Sequence, residues 1–91
     1  MADDAKVAGD TRELDLLLVD DDGELRDDMA RFFSRRGYSV SECDNGAQAL
    51  EFADQRAFDV IILDMMMPGM SGLELLEKLK ARGSEAAMVM L

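Results

Sequence analysis

The sequence predicts an α/β fold in which a parallel sheet is covered by helices on both faces, and three observations predict it. Four short aliphatic runs alternate with stretches whose apolar residues have helical spacing. The first and third runs are almost wholly apolar, which is typical of strands buried on both faces. Both of these runs end in aspartates, as expected at the carboxyl edge of a parallel sheet, where sites form. The 91 residues, 48% of them hydrophobic, are enough for one small domain.

The chain begins with a segment that has no sustained apolar period. Residues 1–13 mix charge, alanine and glycine, and we expect a mobile acidic leader there, followed by a partial domain over residues 14–91. The aliphatic run over residues 14–19 is too short for a buried helix and predicts the first strand.

A first helix is predicted after Gly23, and Gly37 is its expected stop. Its charged residues, among them Arg26, are assigned to the face opposite the apolar one. The apolar positions are Leu25, Met29, Phe32 and Phe33.

The middle of the chain predicts a strand near the sheet edge and a second helix. The strand covers residues 38–42, where the apolar pattern is weak, and residues 44–46 form a turn or helix entry. The helix covers residues 47–56. Its apolar stripe is Ala47, Leu50 and Ala53, with Ala49 and Phe52 beside it.

The last third predicts a buried strand, a third helix and a fourth strand. The strand covers residues 58–63, and Pro68 with Gly69 then stops regular structure. Ser71, followed three residues later by Glu74, is a capping-box pattern for a helix that ends near Gly83. The expected core stripe of this helix is Leu73, Leu76 and Leu79, and residues 86–91 begin the fourth strand.

Composition excludes several classes of function. The net charge of −10 makes contact of this segment with nucleic acid or an anionic membrane unfavourable, and basic partner surfaces or cations fit better. No apolar run is long enough for a membrane span or arranged as a signal peptide, and a single cysteine cannot form an intrachain disulfide, so we expect a cytoplasmic setting. Without histidine, zinc and imidazole chemistry are not expected.

The aspartates at the strand ends are the candidate site. Asp20, Asp21 and Asp22 follow the first strand and Asp64 follows the third, so a parallel sheet gathers them at one edge. Neighbouring carboxylates disfavour one another's charge, and a divalent cation relieves this. Oxygen ligands without His or Cys favour a hard ion, and Mg²⁺ is the expected cofactor. A carboxylate beside it can act as the nucleophile towards a phosphoryl group.

Three segments of the sequence resemble the receiver domain of bacterial two-component response regulators. They are LLLVDDDGELRDDMARFFSRRGYSV, DNGAQAL and DVIILDMMMPGMSGLELLEKLK, and the resemblance runs from about Leu14 to the end of the chain. It implies a flavodoxin-like doubly wound parallel sheet with strand order 2-1-3-4-5. On this pattern the chain is C-terminally truncated and lacks the last helix, strand and helix.

The resemblance also implies the role of each site residue. Asp64 falls on the phosphoacceptor, and Asp20 and Asp21 on the acidic pair that handles Mg²⁺, with Met66 adding its backbone carbonyl. Asp22 is expected to serve the start of the first helix. Such a domain is regulatory rather than an enzyme. It takes a phosphoryl group from a histidine kinase or phosphotransfer protein, holds it as an acyl phosphate and switches an output.

Some expected parts of the family fall outside the sequence. The switch Thr or Ser would follow Leu91 directly, the phosphate-binding lysine would come later, and an output domain or DNA-binding region would lie beyond Leu91. The fourth strand would then be a bare hydrophobic edge, so a dimer or strand exchange through it is a further expectation.

Two other functions remain open from the sequence. One is a phosphorylation-independent interaction module made from a truncated receiver. The other is a phosphatase, because LLLVDDDGE also resembles the first motif of haloacid-dehalogenase-type phosphatases, with Asp20 as nucleophile and Asp22 as acid/base. In that case Asp64 would have no role.

Overall fold

The computed structural model describes residues 13–91, so the predicted leader lies outside the described residues except for Glu13. Seven elements alternate between strand and helix, as the sequence predicts. In chain order they are β1 (Asp15–Val19), α1 (Gly23–Arg35), β2 (Ser39–Cys43), α2 (Gly46–Gln55), β3 (Val60–Leu63), α3 (Gly72–Ala81) and β4 (Ala87–Met90).

The four strands form one parallel sheet in the order β2-β1-β3-β4. The chain passes from β1 outward to β2 and then crosses back to β3, so the strand order reverses between β1 and β3. Val19 at the end of β1 is level with Leu63 at the end of β3 and with Cys43 at the end of β2. The α/β fold and the edge position of β2 are thus confirmed, and the reversal places a crevice beyond Val19 and Leu63.

Helices cover both faces of the sheet because successive strand residues point to opposite faces. Leu16 and Leu18 of β1 pack with Ala30 of α1 on one face. Leu17 and Val19 belong to the core cluster on the other face, which α2 and α3 cover. The four apolar residues of β1, residues 16–19, are at most 1% exposed, as predicted for a strand buried on both faces.

The structure corrects the predicted apolar stripes of all three helices. On α1, Leu25 and Phe32 are 46% and 48% exposed, and Ala30 is the buried contact. On α2, Ala49 and Gly46 are buried, so the stripe is centred on Ala49 rather than on Ala47. On α1 and α2 a small residue, Ala30 or Ala49, faces the sheet because it allows the helix axis to approach closely. The larger apolar side chains lie on either side of it.

On α3 the buried leucines are Leu75 and Leu79, while Leu73 is 56% exposed. The Ser71 hydroxyl accepts a hydrogen bond from the Glu74 N–H at 3.1 Å, which confirms the predicted helix start. This cap fixes where α3 begins, and the leucine pair four residues apart faces the core. Across residues 13–91, no helix combines the length and the apolar character needed to cross a membrane.

Candidate metal and phosphoacceptor site

Three of the predicted aspartates converge beyond the ends of β1 and β3. Asp20, Asp21 and Asp64 each offer a carboxylate oxygen, and these oxygens all lie within 4.8 Å of one another. We call these three residues the acid cluster. The register between β1 and β3 brings these residues together, because the ends of the two strands are level. The Asp64 N–H donates a hydrogen bond to the Val19 carbonyl at 2.9 Å, which extends the pairing of the two strands by one residue.

Asp20 is the buried member of the acid cluster. It is only 3% exposed and is the buried charged residue among those the structure describes. Burial raises the pKa of its carboxyl above the ordinary value, the carboxylates of Asp64 and Asp21 raise this pKa further, and a hydrogen bond from the Asp22 N–H lowers it. Ionisation of Asp20 is therefore less favourable than that of a solvent-exposed aspartate, and a nearby cation would offset this difference.

Asp64 is half-buried and is held by the loop that follows it. The Met66 N–H donates to Asp64 Oδ1 at 3.2 Å, and the Gly72 N–H donates to the Met65 carbonyl at 3.1 Å. A Cβ at Gly72 would lie 2.2 Å from the Asp64 carbonyl oxygen, so only glycine allows α3 to approach this closely. The start of α3 therefore fixes the backbone that carries the Asp64 carboxylate.

Asp22 stands apart from the acid cluster. Its carboxylate accepts a hydrogen bond from the Leu25 N–H at 3.2 Å and caps α1, as predicted for the start of this helix. A carboxylate engaged in this way is poorly placed to serve as the acid/base of a phosphatase, and Asp64 joins Asp20 instead. The geometry therefore favours the receiver interpretation over the phosphatase one.

The acid cluster fits a hard divalent cation. Its donors are carboxylate oxygens from one exposed, one half-buried and one buried residue, and such sets suit Mg²⁺ with part of its water shell retained. Met66 lies two residues after Asp64, and its side chain is 79% exposed. The role of the Met66 backbone carbonyl as a metal ligand stays a prediction.

Sequence reasoning missed one residue beside the acid cluster. Arg26 was assigned to the exposed face of α1, but its Nη1 donates to the Asp20 carbonyl at 2.7 Å and its Nε donates to Glu42 Oε1 at 3.0 Å. An arginine in a helix rich in charged residues has no distinctive pattern. Only the position of Arg26 within the first two turns of α1, after a strand that ends in aspartates, could have indicated that it lies beside the acid cluster.

Cys43, at the end of β2, is structural. It is 3% exposed, and burial raises the pKa of its thiol to about 12. The thiolate that metal binding or nucleophilic attack requires is therefore absent near neutral pH.

The sequence is similar to those of several known proteins. The sequence model of the response regulator receiver domain matches residues 16–91. The transcriptional activator protein PfeR of Pseudomonas aeruginosa is 47% identical over 75 residues, which are 82% of this chain and 25% of PfeR. The response regulator MprA of Mycobacterium leprae is 37% identical over 76 residues, which are 84% of this chain and 33% of MprA.

A solved structure matches the fold over most of the chain. Chemotaxis protein CheY4 of Vibrio cholerae superposes with a TM-score of 0.83 at 30% identity, covering 87% of this chain and 68% of CheY4. The chain thus spans a quarter of the length of PfeR and a third of that of MprA.

Proposed function

The chain belongs to the response regulator receiver domain family, and we propose that it accepts a phosphoryl group on Asp64 from a histidine kinase or phosphotransfer protein, with Mg²⁺, and thereby switches an output. Receiver domains are regulatory, and no turnover of a free substrate is part of the proposal. The observation that carries it is the meeting of the Asp20, Asp21 and Asp64 carboxylates within 4.8 Å at the crevice where the strand order reverses.

Asp64 is the proposed nucleophile because of its position and its support. Its hydrogen bond from the Met66 N–H leaves the other carboxylate oxygen available to attack phosphorus. The P–N bond of a phosphohistidine donor breaks as the P–O bond to Asp64 forms, and the product is an acyl phosphate that water later hydrolyses. Asp64 lies on a short loop between β3 and α3, so a change in its charge acts directly on the start of α3.

Asp20, Asp21 and Asp64 are the proposed side-chain ligands of Mg²⁺, with the backbone carbonyl of Met66 completing the set. When bound, the ion neutralises charge on the phosphoryl oxygens. Asp20 is buried and fixed, whereas Asp21 is exposed at the mouth of the site. This difference lets Asp20 hold the site in place while Asp21 remains accessible to an incoming donor.

The partners follow from the family rather than from the contacts of this chain. A histidine kinase or phosphotransfer protein would present the phosphohistidine to the acid cluster, in the cytoplasm. An output region would read the phosphorylated state. PfeR is named a transcriptional activator, which suggests a DNA-binding output as the first one to test for a protein that contains this segment. The apolar edge strand β4, with Val89 45% exposed, is a further candidate for pairing with another chain.

The test is phosphorylation by a small phosphodonor. The chain is incubated with acetyl phosphate and MgCl₂, and intact mass is measured. We expect the added mass of one phosphoryl group, its loss when EDTA replaces MgCl₂, and none in Asp64→Asn.

Asp22→Asn is the matched control because Asp22 carries the same charge at the same edge of the sheet but caps α1. It should be labelled like the unchanged sequence. Labelling that survives Asp64→Asn but is lost in Asp20→Asn would support the phosphatase alternative. No labelling of the chain, together with labelling of a longer protein containing it, would leave this segment as an interaction module.

A further inference from the structure

We infer that Arg26 is a positioning residue for the acid cluster: its guanidinium fixes the peptide group that joins Asp20 to Asp21, and so sets the geometry in which both carboxylates can share a cation with Asp64. The inference rests on the proposed function, because it concerns the Mg²⁺ site that the proposal assigns.

The contacts of Arg26 join three elements. It projects from α1, its Nη1 donates to the Asp20 carbonyl after β1 at 2.7 Å, and its Nε donates to Glu42 of β2 at 3.0 Å. The Arg26 and Glu42 side chains are only 18% and 33% exposed. By contrast, the Arg31 side chain on the same helix is 62% exposed and pairs with Asp28 one turn earlier. A partly desolvated guanidinium with two different acceptors is held in one orientation.

The Asp20 carbonyl that Arg26 binds belongs to the same peptide group as the Asp21 N–H. Three hydrogen bonds fix Asp20. Its N–H donates to the Cys43 carbonyl at 3.2 Å, its Oδ1 accepts from the Asp22 N–H at 2.9 Å, and its carbonyl accepts from Arg26. Without Arg26 the third hydrogen bond is lost. The peptide group can then rotate, and this rotation moves the Asp21 carboxylate relative to Asp64.

Charge and geometry predict opposite effects of removing Arg26. A cation beside the acid cluster repels Mg²⁺, so on electrostatic grounds alone its removal strengthens Mg²⁺ binding. A group that orients the ligands strengthens binding when it is present, and the loss of such supporting partners weakens metal affinity by about tenfold or more. The sign of the change therefore separates the two roles.

The experiment is a titration of the chain with MgCl₂, followed through the backbone amide resonances of Asp64 and Met66. It is performed on the unchanged sequence and on Arg26→Gln, Arg26→Lys and Arg31→Gln. We expect Arg26→Gln to bind Mg²⁺ about tenfold more weakly. Arg26→Lys keeps the charge but lacks the planar guanidinium with its several donors, and its affinity for Mg²⁺ should fall about threefold. Arg31→Gln is the matched control and should bind as well as the unchanged chain or slightly better.

Unchanged or tighter Mg²⁺ binding by Arg26→Gln would overturn the inference while leaving the proposed function intact. If the unchanged chain binds no Mg²⁺, both fail, and the missing response of the unchanged chain identifies the proposed function as the cause. The dispersion of the amide spectrum reports whether each variant folds. If Arg26→Gln does not fold, Arg26→Lys decides, because its charge is unchanged and wild-type affinity in it would contradict a positioning role.

Discussion

Replacing Asp64 by asparagine should make the metal-free chain more stable, although it removes the residue on which the proposed function depends. Two unit charges at 4.8 Å, the limit that encloses the cluster oxygens, repel by about 0.9 kcal/mol in water and about 3.5 kcal/mol at an effective dielectric constant of about 20. Asp64 is half-buried and Asp21 is exposed, so the lower part of this range applies. The asparagine oxygen can still accept the hydrogen bond from the Met66 N–H. We therefore expect the free energy of unfolding of metal-free Asp64→Asn to exceed that of the unchanged chain by about 1–2 kcal/mol.

Thermal unfolding in EDTA at about pH 8, where ordinary carboxyls are ionised, measures this gain. For a domain of this size it corresponds to a rise in Tm of about 5–10 °C. A second series with MgCl₂ should show the opposite pattern. The unchanged chain gains about 1.4 kcal/mol at a Mg²⁺ concentration ten times its Kd, and Asp64→Asn gains much less.

Asp27→Asn is the matched control for the change in net charge from −10 to −9, because Asp27 is exposed on α1 and lies outside the acid cluster. It should leave Tm nearly unchanged in EDTA. If Asp64→Asn were no more stable than Asp27→Asn in EDTA, the carboxylates would not repel one another in the metal-free fold. The electrostatic reason for expecting a cation would then be refuted.

Three further perturbations probe how the site is built. Gly72→Ala should destabilise the chain by about 3 kcal/mol in urea unfolding and weaken Mg²⁺ binding, because the new Cβ meets the Asp64 carbonyl oxygen; unchanged stability would contradict the close approach of α3. Ser71→Ala should cost about 1 kcal/mol in the same assay through loss of the cap on Glu74 N–H, and Ser71→Asp should restore most of it. The Cys43 thiol, whose pKa burial raises to about 12, should resist alkylation at pH 8 in the folded chain and react fully in urea; rapid reaction without urea would show that β2 opens.

The sequence predicted the existence and type of every element but placed the buried face of each helix inaccurately. Strand burial is visible in sequence because β1 and β3 are nearly continuous aliphatic runs. The buried face of a helix is harder to predict from the sequence. Leu73 and Leu75 of α3 are equally apolar, and only packing against the sheet decides that Leu75 is fully buried while Leu73 is 56% exposed.

The candidate site shows the same division. The membership of Asp20, Asp21 and Asp64 could be predicted because each lies within two residues of a strand end, and strand ends of a parallel sheet meet at one edge. The separate position of Asp22 was also predictable, from its place before a helix. Arg26 has no distinctive sequence pattern, because its two acceptors lie in segments distant from each other in sequence and its sequence neighbours are surface charges.

By itself, therefore, the sequence determined the α/β alternation, the receiver family and the aspartates that could bind a cation and a phosphoryl group. These properties depend on local patterns: runs of apolar residues, caps, and aspartates placed at strand ends. Only the tertiary structure decided that Asp20 is buried while Asp21 is exposed, that Gly72 lets α3 contact the Asp64 backbone, and that Arg26 holds the Asp20 carbonyl. Those properties arise between segments distant in sequence, where the register of the sheet and the approach of each helix set which atoms meet.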